Sequence, residues 1–241
     1  MAKTILICSG KGGAGKSTVT ACLWRALCAR GRRVLLVDGD AGLRTLDLLT
    51  GLGENAVYTW ADAAGGLCAA NDAVCLSPDG TCGLLLPPAK PDAPDPDAFC
   101  AMLRAAAEPF DYCLLDAPAG LGGTFPAALA AADEAVLVAT PDPVCLRAAS
   151  TLAEALFDRL APDRVRLVLN RFSRDAMRRG DCLSPDEAVD LCGVRFLGAV
   201  PEDARLKRLC ALELPERATR DAFARIAARL EGEDVPFKFR F

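Results

Sequence analysis

Residues 10–18 read Gly10-Lys11-Gly12-Gly13-Ala14-Gly15-Lys16-Ser17-Thr18 and fit the spacing G-x-x-x-x-G-K-[ST]. Glycines at these positions let successive backbone N–H groups curl inward around phosphate oxygens. A helix starting at Lys16 would add its positive N-terminal end. In this pattern Lys16 reaches the β- and γ-phosphates and Ser17 ligates Mg²⁺. Lys11 is a second lysine in the loop. Read alone, it is either a solvated side chain on an exposed turn or a second cation on the phosphates. Two further acid sites follow apolar runs. Arg33-Val34-Leu35-Leu36-Val37 ends in Asp38-Gly39-Asp40, and Tyr112-Cys113-Leu114-Leu115 ends in Asp116. Aspartate is common in turns after strands, so Asp38 and Asp40 alone say little. Beside a phosphate loop, carboxylates at strand ends suit metal and water positioning. Asp116 in particular is placed to hold a magnesium water shell.

These groups must be carried by strands that end where helices begin. Apolar, β-branched runs predict strands near 3–8, 33–37, 111–116, 134–139, 164–170 and 195–200. Amphipathic spacing predicts helices near 16–30, 97–107, 143–160, 184–192 and 216–231. Strands of nearly continuous Val, Leu and Ile are buried on both faces, as in a parallel sheet. The expectation is an α/β fold: a three-layer, doubly wound, mostly parallel sheet of the P-loop NTPase kind, one domain over residues 1–241. The proline-rich stretch from Pro87 to Pro96 is a stiff surface connection, too short to separate domains. Ligands in such sheets sit at the carboxyl ends of the strands, where the loop and the acids lie.

Composition removes several classes of function. The 241 residues are 52% hydrophobic and 25% charged, which is globular. A net charge of −4 argues against a broad nucleic-acid surface, leaving only a small cluster at Arg174, Arg178 and Arg179. Histidine is absent, so no imidazole base or ligand exists. No run reaches the roughly 18–20 apolar residues of a membrane span. The first strand is too short for a signal peptide, which predicts a cytoplasmic chain. Twelve cysteines contain no C-x-x-C, so a zinc site is poorly supported and small buried hydrophobes are expected. A turn centred on Pro78-Asp79 would place Cys75 opposite Cys82 as two thiols.

The run Lys11-Gly12-Gly13-Ala14-Gly15-Lys16-Ser17-Thr18 resembles the deviant phosphate loop of the MinD/ParA ATPases. The resemblance implies ATP and Mg²⁺ as cofactors, with Lys11 contacting the phosphates of ATP held by a facing subunit. Hydrolysis would then need an ATP-dependent homodimer, and Lys11, Lys16 and Asp40 would be the catalytic residues. Asp40-Ala41-Gly42-Leu43-Arg44-Thr45-Leu46-Asp47 resembles the family's first switch, with Thr45 where asparagine is usual. It implies that Asp40 orients the attacking water and that Asp38 supports the magnesium shell with Ser17 and Asp116. Asp116-Ala117-Pro118-Ala119-Gly120 resembles the second switch, with Gly120 near the γ-phosphate. Asn170-Arg171 and Pro201-Glu202-Asp203 resemble the segments that line the adenine. Asn170 offers a donor and an acceptor to the base edge, and Arg171 a cation for its face.

Arg179-Gly180-Asp181-Cys182-Leu183-Ser184 and Glu233-Asp234-Val235-Pro236-Phe237 resemble segments of the division-site branch of that family, rather than its plasmid-partition branch. The implied role is slow ATP hydrolysis coupled to septum placement, with a division inhibitor or activator as partner and recruitment to the inner face of the cell membrane. Two features depart from that branch. The chain closes on Phe237-Lys238-Phe239-Arg240-Phe241, too short for a stable amphipathic helix. Arg147-Ala148-Ala149-Ser150 replaces an acidic run around the partner groove. The alternatives are a soluble ParA-like segregation or positioning ATPase, and a nucleotide-gated binding module without membrane cycling. A metal-cluster carrier would need cysteines in the second switch, which has none. A tyrosine autokinase would need a tyrosine-rich tail, and only Tyr58 and Tyr112 are present.

Overall fold

Five strands carry apolar side chains on both faces and so demand cover on both sides. In the computed structural model, which describes residues 1–41, 44–90, 93–118, 120–206 and 215–237, they form the middle of one sheet. The strands are β1 (Lys3–Cys8), β2 (Val34–Asp38), β3 (Val74–Leu76), β4 (Cys82–Leu85), β5 (Tyr112–Asp116), β6 (Glu134–Ala139), β7 (Val165–Phe172) and β8 (Arg195–Pro201). Their order across the sheet is β3-β4-β2-β5-β1-β6-β7-β8, and every pair is parallel except β3 with β4. β1, at the centre, is flanked by β5 and β6, so the phosphate loop leaves the middle of the sheet.

The helices are α1 (Lys16–Cys28), α2 (Thr45–Thr50), α3 (Trp60–Ala64), α4 (Pro96–Ala107), α5 (Phe125–Ala131), α6 (Pro143–Phe157), α7 (Arg174–Arg179), α8 (Pro185–Cys192) and α9 (Arg217–Leu230). α1 packs with α2 and α9, α4 with α3 and α5, and α6 with α8. Their starts follow from local chemistry. Asp95 and Asp142 each accept a backbone N–H from the first turn of α4 and α6, and proline follows each cap. Ser184 and Glu187 form a reciprocal capping box on α8. All six expected strands and five expected helices are present, with ends shifted by a few residues. α2, α3, α5 and α7 are additional, as are β3 and β4.

The β3–β4 hairpin corrects one expectation. Cys75 faces Leu84, not Cys82. The turn is centred on Pro78-Asp79 as expected, since the Gly80 N–H donates to the Ser77 carbonyl at 2.9 Å. Asp79 widens it, accepting from the Ser77 hydroxyl, the Thr81 N–H and the Thr81 hydroxyl at 2.6, 3.1 and 2.8 Å. Ser77 therefore pairs with Cys82, its N–H donating to the Cys82 carbonyl at 2.8 Å, and the register moves by two residues. The cysteines among the described residues are all free thiols, and Cys210 lies outside them. Burial pushes the thiols of Cys8, Cys22 and Cys113 up to about 12. No group of three potential metal ligands occurs among the described residues.

Two polar assemblies hold the end of the sheet remote from the loop. Glu134, 2% exposed at the start of β6, receives Lys3 at 2.8 Å, Arg164 at 2.9 Å and Arg166 at 3.5 Å. Arg229, near the end of α9, straps the segment that follows. Its Nε donates to the Val235 carbonyl at 2.9 Å, one Nη to the Leu197 carbonyl at 2.8 Å and the other to the Pro236 carbonyl at 2.9 Å. Its guanidinium lies 4.0 Å from the ring centre of Phe237, which packs 5.1 Å from Phe196 of β8. Arg30 adds ion pairs to Glu231 and Glu233. Residues 238–241 of the Phe-rich end lie outside the described residues. No helix among the described residues is long and apolar enough to cross a membrane.

Candidate functional site

The phosphate loop runs from Ser9 to Gly15, between β1 and α1. Gly13 and Gly15 adopt φ of 82° and 91°, which side chains resist. Gly15 caps α1 without a side-chain acceptor, so the first N–H groups of the helix remain for an anion. Gly10 is required for another reason. A Cβ there would lie 2.2 Å from the Ala148 carbonyl oxygen, because α6 lies directly against the loop. Asn170, at the end of β7 and 5% exposed, donates from Nδ2 to the Ala14 carbonyl at 2.8 Å. It therefore ties the phosphate loop to the end of β7. A Cβ on Gly15 would collide with this amide at 2.2 Å.

Beneath the loop, Lys16 is buried and pairs with Asp116 Oδ1 at 3.0 Å. The Thr20 hydroxyl, one turn later on α1, lies 3.2 Å from the same oxygen. Asp116 Oδ2 is buried with no hydrogen-bond partner. Asp38 and Asp116 are register neighbours at the ends of β2 and β5. Both are fully buried. Burial pushes the Asp38 carboxyl up to about 6, reinforced by the Asp116 charge and opposed by N–H groups of Leu46 and Asp40 and by Lys16. Burial likewise raises Asp116, with the Lys16 ammonium opposing it and nearby Ser17 and Thr20 donors adding to that opposition. Two adjacent carboxylates thus share one buried ammonium, and one oxygen is bare. That donor set, all hard oxygens with Ser17 close by, fits Mg²⁺.

Asp38 has a second task. Its Oδ1 accepts from the Asp40 N–H and its Oδ2 from the Leu46 N–H, both at 3.0 Å. It therefore fastens the segment in which Asp40 sits. Asp40 is half-buried at the lip of the site. Lys11 is exposed on the loop, and its charge helps to hold the Asp142 carboxyl down against burial, together with the Thr140 and Cys145 donors. Ser17 and Thr18 are half-buried in the first turn of α1, and Gly12 is exposed. Gly120 adopts φ of 82°, and no atom lies within 4 Å of a Cβ placed there. It has room to move.

Beside the loop, Gly15, Thr18, Asn170, Arg171, Pro201, Glu202, Asp203 and Leu206 line one cleft. The segments named from the sequence therefore converge. Arg171 reaches it by a φ of 56°, unusual outside glycine. Asp203 is 4% exposed and acts inward. Its Oδ1 accepts from Arg205 N–H at 2.9 Å and its Oδ2 from Glu216 N–H at 2.7 Å. It holds the wall of the cleft in place. Thr20, Trp60 and Leu206 were not expected from the sequence. Thr20 lies four residues after Lys16 on the same helix face, so helical spacing could have revealed it. Trp60 donates from Nε1 to the Asp38 carbonyl at 2.9 Å, a contact with no local signature.

A central strand, a glycine loop, a helix and two strand-end aspartates define a P-loop nucleotide-binding protein, here with a second lysine in the loop. The chain belongs to the CobQ/CobB/MinD/ParA nucleotide binding domain family, whose model matches residues 5–215. The septum site-determining protein MinD of Synechocystis sp. is 34% identical over 246 residues, covering 98% of this chain and 92% of that one. That of Bacillus subtilis is 34% identical over 248 residues, covering 99% and 92%. Among solved structures, the MinC:MinD cell division protein complex of Aquifex aeolicus matches with a TM-score of 0.86 at 30% identity, covering 98% of both chains. MinD of Pyrococcus horikoshii OT3, complexed with Mg-ADP, matches with a TM-score of 0.81 at 29% identity, covering 96% of both. The chain is MinD-like in sequence and fold over nearly its whole length.

Proposed function

We propose that this protein is an ATP-driven switch for division-site placement. It binds MgATP, pairs with a second copy, hydrolyses the nucleotide slowly and separates. While paired, it engages a division inhibitor or activator and a membrane surface. The observation that carries this reading is the different setting of the two loop lysines. Lys16 is buried on Asp116, whereas Lys11 is exposed at the edge of the same loop. In this reading Lys16 serves its own nucleotide and Lys11 a nucleotide held opposite.

In this mechanism the loop N–H groups and the start of α1 hold the phosphates. Mg²⁺, when bound, would supply positive charge against the phosphates. Ser17 would hold it through its hydroxyl, with Asp116 and Asp38 holding its water shell. Lys16 exchanges its contact with Asp116 for the phosphates, which frees a second Asp116 oxygen. Asp40 accepts a hydrogen bond from the attacking water and aligns it. Lys11 of the facing copy stabilises charge as the bond to the γ-phosphate breaks, so turnover depends on pairing. Asn170 and Arg171 hold the base, and Asp203 steadies the wall behind it. Gly120 permits the second switch to relax when phosphate leaves.

The division role is supported by likeness to septum site-determining proteins and to a MinC:MinD complex. The test is light scattering on a sizing column with ADP, ATP, and ATP plus anionic vesicles. ATP should yield dimers. Asp40→Ala should hold them without phosphate release. Lys11→Ala should bind ATP yet not turn it over, and Lys16→Ala should bind none. Monomers of Asp40→Ala in saturating ATP would refute the reading. Absence of ATP-dependent vesicle binding would remove the membrane part alone.

A further inference from the structure

The peptide joining Asp38 to Gly39 is held from both sides. Its N–H, on Gly39, donates to the Asp116 carbonyl at 2.8 Å. Its C=O, on Asp38, accepts from Trp60 Nε1 at 2.9 Å. An indole nitrogen only donates, so the direction of that bond is fixed. Trp60 is 1% exposed at the first turn of α3. It meets Phe99 of α4 edge-on at 5.4 Å and 89°. Its own N–H donates to the Leu86 carbonyl at 2.9 Å, just past β4. The side chain is therefore set by two neighbouring elements. Glycine is required at this position, because a Cβ on residue 39 would lie 2.8 Å from the Asp116 carbonyl oxygen.

We propose that Trp60 is a positioning residue for the first switch. It pins the peptide by which the switch leaves β2, so the hinge lies after Gly39, and Asp40 moves once its N–H leaves the Asp38 carboxylate. Asp38 and Asp116 then stay side by side in every nucleotide state, and only the water-aligning carboxylate travels. The inference rests on the switch reading above.

Trp60→Phe keeps an aromatic ring in the core and removes the donor. Backbone amide exchange, measured without nucleotide, is the first readout. Leaving the buried Asp38 carbonyl unpaired should speed exchange at Gly39 and Asp40 about tenfold or more relative to Leu36 in the same strand. MgADP affinity should fall severalfold in parallel. Phe99→Leu is the control, since it loosens the packing of Trp60 but leaves its N–H. If both variants accelerate Gly39 and Asp40 equally, or neither does, the proposal is overturned. The unmodified chain gives an independent check should the variant fail to fold. The Trp60 indole proton should stay protected from exchange without nucleotide, with MgADP and with MgATP. Rapid exchange in any of the three overturns the pinned hinge. A chain that bound no nucleotide would sink the proposed function and leave the exchange result standing.

Discussion

Asp38→Asn is expected to reverse its effect on stability with pH. In the folded protein burial and the Asp116 charge push the Asp38 carboxyl from 3.8 up to about 6. A raised acid favours the folded state where the carboxyl is neutral. That stability is whole below the unfolded value, and it is lost as pH climbs through the folded one. A shift of about two pH units corresponds to about 3 kcal/mol. Asparagine keeps the shape and one acceptor but abandons one of the two backbone N–H bonds, at about 1–3 kcal/mol. At pH 4 the wild type should therefore be the more stable. By pH 7.5 the gap should close or invert, a swing of about 2.5 kcal/mol, since part of the unfolded carboxyl is already ionised at pH 4. The assay is urea unfolding from pH 4 to 7.5 in EDTA without nucleotide. With MgADP the wild type should recover, because the metal offsets the paired carboxylates. A difference between the two proteins that stays flat across that range would refute the argument.

Gly10→Ala should separate α6 from the phosphate loop, because the new methyl would sit 2.2 Å from the Ala148 carbonyl oxygen. Overpacking of this kind costs about 1–3 kcal/mol, and nucleotide affinity measured by a fluorescent ADP should largely vanish while the circular dichroism persists. Asn170→Ala leaves the Ala14 carbonyl without its donor. Calorimetry should show ADP binding weakened about tenfold, from the roughly 1–3 kcal/mol of an unpaired buried group. Glu134→Gln strands Lys3, Arg164 and Arg166 around a neutral group at the far end of the sheet. Denaturant unfolding should show a loss of about 3 kcal/mol with ADP affinity unchanged.

The glycine-rich loop between β1 and α1 was readable because its geometry is local. Gly10 to Thr18 is one contiguous loop, and its neighbours in sequence are its neighbours in space. The strand-end positions of Asp38 and Asp116 were readable because each closes a run of apolar residues beside a phosphate-loop motif. What the sequence hid is tertiary. The inward role of Asp203 depends on N–H groups two and thirteen residues away. The hold of Trp60 on Asp38 bridges 22 residues. α2, α3, α5 and α7 have only five to seven residues each, too few for a periodic pattern. The hairpin register was missed because Asp79 gathers three donors and widens the turn by a pair.

The strap built by Arg229 bears on how this molecule can be mounted. Phe237 is fastened to Phe196, near the start of β8, and the phosphate loop leaves the opposite end of the parallel sheet. Position 237 is therefore held to the frame of the sheet, at the end away from the phosphate loop. A dye placed there would report the tilt and tumbling of the whole body and stay blind to Asp40. A second dye near residue 40 would see the reverse. Together they would separate motion of the whole body from rearrangement beside Asp40.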